Sequence, residues 1–127
     1  MVDARDSEGR WFDCLVTEVE DARVRGHFRG WSERWDAWIG KDDASRLQPH
    51  LARTGDWRAS LAPGDACEVG DARGSMWFVA RVAGTDADAV AARTATGVVY
   101  TVERASERLC RSGTHCAPGR VARPVSS

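Results

Sequence analysis

The stretch Arg23-Val24-Arg25-Gly26-His27-Phe28-Arg29-Gly30-Trp31-Ser32-Glu33-Arg34-Trp35-Asp36-Ala37-Trp38-Ile39 decides how this chain is read. Val24, Gly26 and Phe28 alternate with Arg23, Arg25 and His27, the period of a β-strand that buries one face. The alternation stops at Arg29-Gly30. Phe28, Trp31, Trp35 and Trp38 then place four large aromatics within eleven residues, separated by charges. Burial of all four in a small core is one use for them. The other is to hold ring faces open at the end of a strand, where each attracts a cation with about 0.5–2 kcal/mol.

Outward from this stretch, short strand-like runs alternate with turn signals, the spacing of a small all-β barrel. Val2 to Arg5 reads as a first strand, Asp6-Ser7-Glu8-Gly9 as a turn, and Trp11 to Glu20 as a second strand. Trp35 to Ile39 is a further short strand, and Ala44 to Leu47 a single helical turn ahead of Pro49. A second round begins near Leu61, with a turn at Pro63-Gly64 and strands over Ala66 to Val69, Trp77 to Val82, Ala87 to Thr94 and Val98 to Val102. Gly84-Thr85-Asp86 reads as the turn inside this round. The two rounds repeat: Gly9-Arg10-Trp11-Phe12 before Leu15-Val16 matches Gly74-Ser75-Met76-Trp77-Phe78 before Ala80-Arg81-Val82. Ser45-Arg46-Leu47 likewise matches Glu107-Arg108-Leu109. The fold class is therefore all-β, two small SH3-like five-stranded barrels in tandem. They are expected over residues 1–50 and 61–118, with a polar linker at 51–60, where Trp57 pins the halves together, and a flexible tail at 119–127.

Composition narrows the function. The 127 residues carry 18 Lys and Arg against 19 Asp and Glu, a net charge of −1, so no global basic field draws nucleic acid. Cys14, Cys67, Cys110 and Cys116 contain no CxxC pair and no zinc-finger spacing. Cys110, His115 and Cys116 stand close together, yet we expect no metal there and reduced thiols throughout. No run approaches the roughly 18 apolar residues of a membrane span, and the N-terminus lacks a signal-peptide core, so a soluble intracellular protein with no membrane partner is expected. His27, His50 and His115 lie in no nucleophile motif, and Gly64, Gly70 and Gly74 make no phosphate-cradling loop. We expect no catalytic residue and no cofactor.

The stretch from His27 to Ile39 resembles the Royal superfamily of Tudor, chromo-barrel and malignant-brain-tumour repeats, whose pattern is H-[FY]-x-G-W-x-x-[RK]-[WYF]-D-x-W-[IV]. His27, Phe28, Gly30, Trp31, Arg34, Trp35, Asp36, Trp38 and Ile39 keep it. The opening Asp6 to Phe12 is similar to the D-x-x-G-x-W-[FY] of those barrels, and Arg46-Leu47-Gln48-Pro49 to their closing R-[LI]-x-P. The resemblance implies a methyl-lysine cage from Phe28, Trp31 and Trp35, with Asp6 as acidic partner and Glu8 as its neighbour. It implies that Trp38 packs beneath the barrel and that Asp36 holds the loop through backbone hydrogen bonds. Residues 61–118 resemble a Tudor or Agenet barrel more loosely. The segment from Ala91 to Glu103 has Tyr100 as its sole aromatic, so the second barrel is expected to serve as support.

The implied function is a non-catalytic, nuclear reader of methylated lysine on a histone tail or another protein. Two alternatives stand beside it. Arg23, Arg25, Arg29 and Arg34 would form a basic patch for RNA or DNA beside exposed tryptophans. The chain would otherwise be a plain interaction module of a larger ubiquitin-pathway protein.

Overall fold

A computed structural model describes residues 1–73 and 76–116. The chain divides into two compact units, Met1–Asp56 and Trp57–Ser127. Each contains a five-stranded antiparallel sheet that curls into a half-barrel, as the tandem small-barrel reading requires. The first sheet holds β1 (Val2–Arg5), β2 (Trp11–Val19), β3 (Arg23–Phe28), β4 (Ala37–Gly40) and β5 (Leu47–Pro49) in the order β4-β3-β2-β1-β5. The second holds β6 (Ala66–Gly70), β7 (Trp77–Thr85), β8 (Ala89–Thr94), β9 (Val99–Glu103) and β10 (Leu109–Arg111) in the order β10-β6-β7-β8-β9. Read from opposite ends, the two orders are one topology: each last strand returns to pair with the first.

Registers extend the match to single residues. Trp11 and Phe12 face Arg5 and Ala4, while Trp77 and Phe78 face Gly70 and Val69. The long second strand of each unit shifts register once, between Val16 and Glu18 in β2 and between Val82 and Gly84 in β7. Such a bulge increases local twist and bends the strand, which helps a five-stranded sheet to curl. Inward positions alternate as period two demands. Val24, Gly26 and Phe28 are buried on β3, Cys67 and Val69 on β6, Ala80 and Val82 on β7, and Val90 and Ala92 on β8. The first core is small, built from Ala4, Cys14, Phe28 and Ile39.

Each unit closes on a buried carboxylate. Asp3, with no exposed surface, accepts hydrogen bonds from the main-chain N–H groups of Leu51 (3.0 Å), Arg53 (2.8 Å) and Thr54 (2.7 Å), and from the Thr54 hydroxyl. Glu68, also fully buried, accepts from the N–H groups of Gly113 (2.7 Å), His115 (2.7 Å) and Cys116 (3.1 Å). Both carboxylates sit on the first strand of their unit and hold the segment that follows the last strand. A tryptophan on the neighbouring strand is covered by the same segment in each case. The Arg53 guanidinium lies 5.0 Å from the Trp11 ring centroid, and the His115 ring stacks on Trp77 at 4.0 Å. Burial pushes the Glu68 carboxyl above the ordinary glutamate range, against the N–H donors that draw it down.

Several local expectations are corrected. Residues 51–56 belong to the first unit, and 57–60 form a short helix (α1, Trp57–Ser60) of the second. Trp57 packs on the second unit's own core. The helical turn expected at Ala44 to Leu47 is present as a single turn, in which the Arg46 and Leu47 N–H groups both donate to the Asp43 carbonyl (3.0 and 2.9 Å), but Leu47 itself already enters β5, because β1 offers Leu47 to Pro49 a strand to pair with. Gly84 and Thr85 continue β7 past its bulge, and the turn falls at Asp86, whose carboxylate accepts the N–H groups of Asp88 and Ala89. Trp35 lies in a 3-10 turn (Glu33–Trp35) rather than at the start of β4. The tail expected at 119–127, residues 117–118 of the second barrel, and Gly74-Ser75 of the repeat lie outside the described residues. Among the described residues, no helix is long and apolar enough to cross a membrane.

Two outcomes follow for stability. Asp3→Ala leaves three main-chain N–H groups without their acceptor, so urea unfolding should show a loss of about 3 kcal/mol or more. The second concerns pH. Burial raises the Cys14 thiol from 9.0 to about 12, helped by the nearby carboxylates Asp13, Asp36 and Asp3. Below pH 9 the thiol is protonated in both folded and unfolded chains, and its contribution is complete. Between pH 9 and about 12 only the unfolded chain ionises there. Stability should therefore fall by up to about 1.4 kcal/mol per pH unit in that window, and Cys14→Ala should remove this part of the alkaline loss.

Candidate functional site

One end of the first unit carries a cavity of about 280 Å³ to which Asp6, Glu8, Phe28, Trp31 and Trp35 all contribute. Three short segments assemble it. The β1–β2 turn supplies the acids. Gly9, with φ +84°, donates its N–H to the Asp6 carbonyl at 3.1 Å, and Asp6 N–H donates to the Arg10 carbonyl at 2.9 Å. A Cβ at Gly9 would lie 3.1 Å from the Arg5 guanidinium. The turn thus depends on glycine for its conformation, since the exposed Arg5 side chain can move aside but the positive φ cannot be relieved.

The second segment is the turn leaving β3. Trp31 N–H donates to the Phe28 carbonyl at 3.1 Å across Arg29-Gly30, and Gly30 takes φ +90°. That left-handed residue brings Trp31 back over the strand end, beside Phe12. The third segment is the 3-10 turn. Ser32 caps it by accepting the Arg34 N–H (3.3 Å), and Trp35 is thereby held out with half its surface exposed. Beneath, the His27 imidazole Nδ1 and the Asp36 carboxylate meet at 2.8 Å, tying the loop to β3.

The rings present a corner rather than a stack. Phe12 meets Phe28 at 6.0 Å and 87°, and Trp31 at 6.2 Å and 81°. Phe28 is only 5% exposed, so it forms the floor of the cavity and not an open wall. Trp31 is half-buried and packs on the same core. Phe12 is a wall that the sequence reading left out. Its signal was present, since the aromatic after Trp11 falls on the same face as Ala4 and Cys14, toward the strand end that carries the cavity. Trp38 is half-buried and outside the core, its ring under the Arg23 guanidinium at 4.1 Å. That corrects the expectation that it packs beneath the barrel: Trp38 pairs with Arg25 on β3, so its side chain shares the outward, arginine-bearing face, while Ile39 points in. Asp36 works through the His27 side chain instead of the main chain.

Arg10 is the second residue that sequence reasoning missed. Its guanidinium carbon lies 5.3 Å from the Phe12 centroid and 5.5 Å from the Trp31 centroid, both within cation–π range. Nε contacts Asp6 Oδ2 at 3.2 Å and a terminal nitrogen contacts Glu8 at 3.1 Å. The other Asp6 oxygen accepts the main-chain N–H groups of Glu8 and Arg10, each at 2.9 Å.

Among the described residues, the second unit shows no counterpart. Thr94 occupies the register place of Phe28, and Tyr100 stacks flat on Phe78 at 5.9 Å and 13°. Cys110 Sγ stands 3.7 Å from His115 Nε2. Among the described residues, no cluster of three or more His, Cys, Asp or Glu is arranged to hold a metal. The arginines of the supposed basic patch are matched by acids: Arg23 with Glu20 (2.6 Å), Arg25 with Glu18 (3.0 Å) and Arg29 with Asp13 (3.1 Å). Arg34 lies over Trp35 at 5.8 Å.

Neither a scan of protein-family models nor a search of curated proteins finds a match for this chain.

The turn glycine makes the site testable without a ligand. Gly30→Ala places a Cβ on a backbone with φ +90°. It should cost about 1–2 kcal/mol in thermal or urea unfolding and shift the Trp31 indole N–H resonance, while a Gly55→Ala control reports the cost of left-handed strain away from the cavity.

Proposed function

We propose that the first unit is a non-catalytic reader of methylated lysine, of the Royal type that its His27–Ile39 motif resembles. The supporting observation is the convergence of Trp31, Trp35 and Phe12 above Phe28 with two carboxylates, Asp6 and Glu8, around one cavity. A methylated ammonium keeps its charge but loses hydrogen-bond donors, so water solvates it poorly and aromatic faces compete for it. The cavity is close to the roughly 300 Å³ lower end of small-molecule sites, a size for one inserted side chain. A lysine's alkyl stem would run along Trp35, and an acid at the rim accepts a hydrogen bond from mono- or dimethyl-lysine. The ligand class is a methylated segment of a histone tail or another nuclear protein, and the second unit serves as support. The ion pairing of Arg23, Arg25 and Arg29 gives the nucleic-acid reading no comparable foothold.

Trp35 is the wall to remove, because Trp31 and Phe28 also fill the core. Calorimetric titration with peptides at each methylation state should show Trp35→Ala weakening binding about ten- to hundredfold with little change in melting temperature. Asp6→Asn should weaken mono- and dimethyl-lysine more than trimethyl-lysine, which has no N–H to donate. A wild-type protein that binds methylated and unmodified peptides alike would end this reading.

A further inference from the structure

The ring faces and acids assigned to a ligand are engaged by the protein's own cation. We propose that Arg10 is the resident cation of the cage, a built-in competitor that an incoming methylated ammonium has to displace; this rests on the reader function proposed above. The Arg10 guanidinium lies over Phe12 and Trp31 and reaches both Asp6 and Glu8. Those four groups are among the ones a methylated ammonium would use, beside Trp35. A guanidinium suits the place, since its plane stacks on aromatic faces while its edge meets carboxylates.

The contacts are built for release. The loop that carries Arg10 is held by main-chain bonds: Asp6 Oδ1 receives the Glu8 and Arg10 N–H groups, and the Gly9 and Asp6 N–H groups close the turn. None of these needs the Arg10 side chain. That side chain is 37% exposed, so it can swing into water without opening the core. Ligand affinity is then the intrinsic affinity of the cage reduced by the fraction of time Arg10 occupies it. That factor is common to every ligand, so Arg10 sets the overall affinity of the cage while the ring faces set its preference for methylated over unmodified lysine, whose ammonium is strongly hydrated.

The test uses tetramethylammonium as the probe, titrated into the full chain and followed through the Trp31 and Trp35 indole N–H and Arg10 Nε–H resonances. Arg10→Gln should bind the probe roughly five- to thirtyfold more tightly than the wild type. Arg10→Lys, which keeps the charge without the planar fork, should gain less and serves if the glutamine variant folds poorly. In the wild type the Arg10 Nε–H resonance should begin upfield and move toward the position of a solvated arginine as the probe saturates. Binding by Arg10→Gln where the wild type shows none also supports the competitor role.

Equal or weaker binding by Arg10→Gln overturns the proposal and leaves the reader reading intact, because Arg10 would then be a wall of the cage. An equal gain in Arg46→Gln overturns it as well, since loss of any nearby positive charge would then suffice. If neither the wild type nor the variants bind the probe, the cage reading falls, and the competitor falls with it.

Discussion

A carboxylate withdrawn from water must recover its solvation from fixed donors, and the cheapest fixed donors in a β-protein are main-chain N–H groups freed where a strand ends. Asp3 and Glu68 solve this in the same way. Each lies on the first strand of its unit and gathers the N–H groups of the segment that follows the closing strand. The closing strands, Leu47–Pro49 and Leu109–Arg111, have three residues each, with Leu47 and Leu109 packed on the cores of their units. The carboxylate beside each one anchors the segment that follows it. Each sheet is thus closed by strand pairing and by a buried carboxyl group that main-chain donors hold in place, and in the first unit the strand ends that carry the cavity belong to that closed sheet.

From that frame the cavity needs only turn chemistry. Gly9 and Gly30 put two short loops at one end of the first sheet, one bearing acids and the other tryptophans. Phe12 and Phe28 rise from adjacent strands beneath them. The second unit repeats the strands, the bulge, the tryptophan and the buried acid, but has Thr94 where the first has Phe28. Architecture and site are therefore separable: among the described residues both units carry the architecture, and the first carries the aromatic corner.

Much of this is legible in the sequence, and the gaps have physical causes. Period-two alternation located β3, turn signals bounded β1 and β6 almost to the residue, and the Trp-Phe openings aligned the units as the strand registers do. The aromatic and acidic residues of the cavity were legible from their motif. The closing strands were not, because three residues show no periodicity and pairing alone defines them. Asp3 and Glu68 belong to no motif and drew no reading, since nothing local shows that donors arrive from 45 to 51 residues away. Arg10 was passed over for a related reason. A lone arginine in a charged turn is ordinary, and only the fold brings Trp31 over it.

The carboxylate closure also sets an order of events during synthesis. Asp3 leaves the ribosome ahead of its donors Leu51, Arg53 and Thr54, so the first sheet cannot settle until its nascent chain has been extended past Thr54. Loop closure over that distance precedes any reward from the bonds it makes. Through that interval Asp3 stays hydrated, the tryptophan-rich loop has no frame beneath it, and its exposed rings are open to chaperones and to wrong partners. Once Thr54 docks, the charge is sealed and the window shuts; the second unit must wait in the same way for Cys116 to reach Glu68.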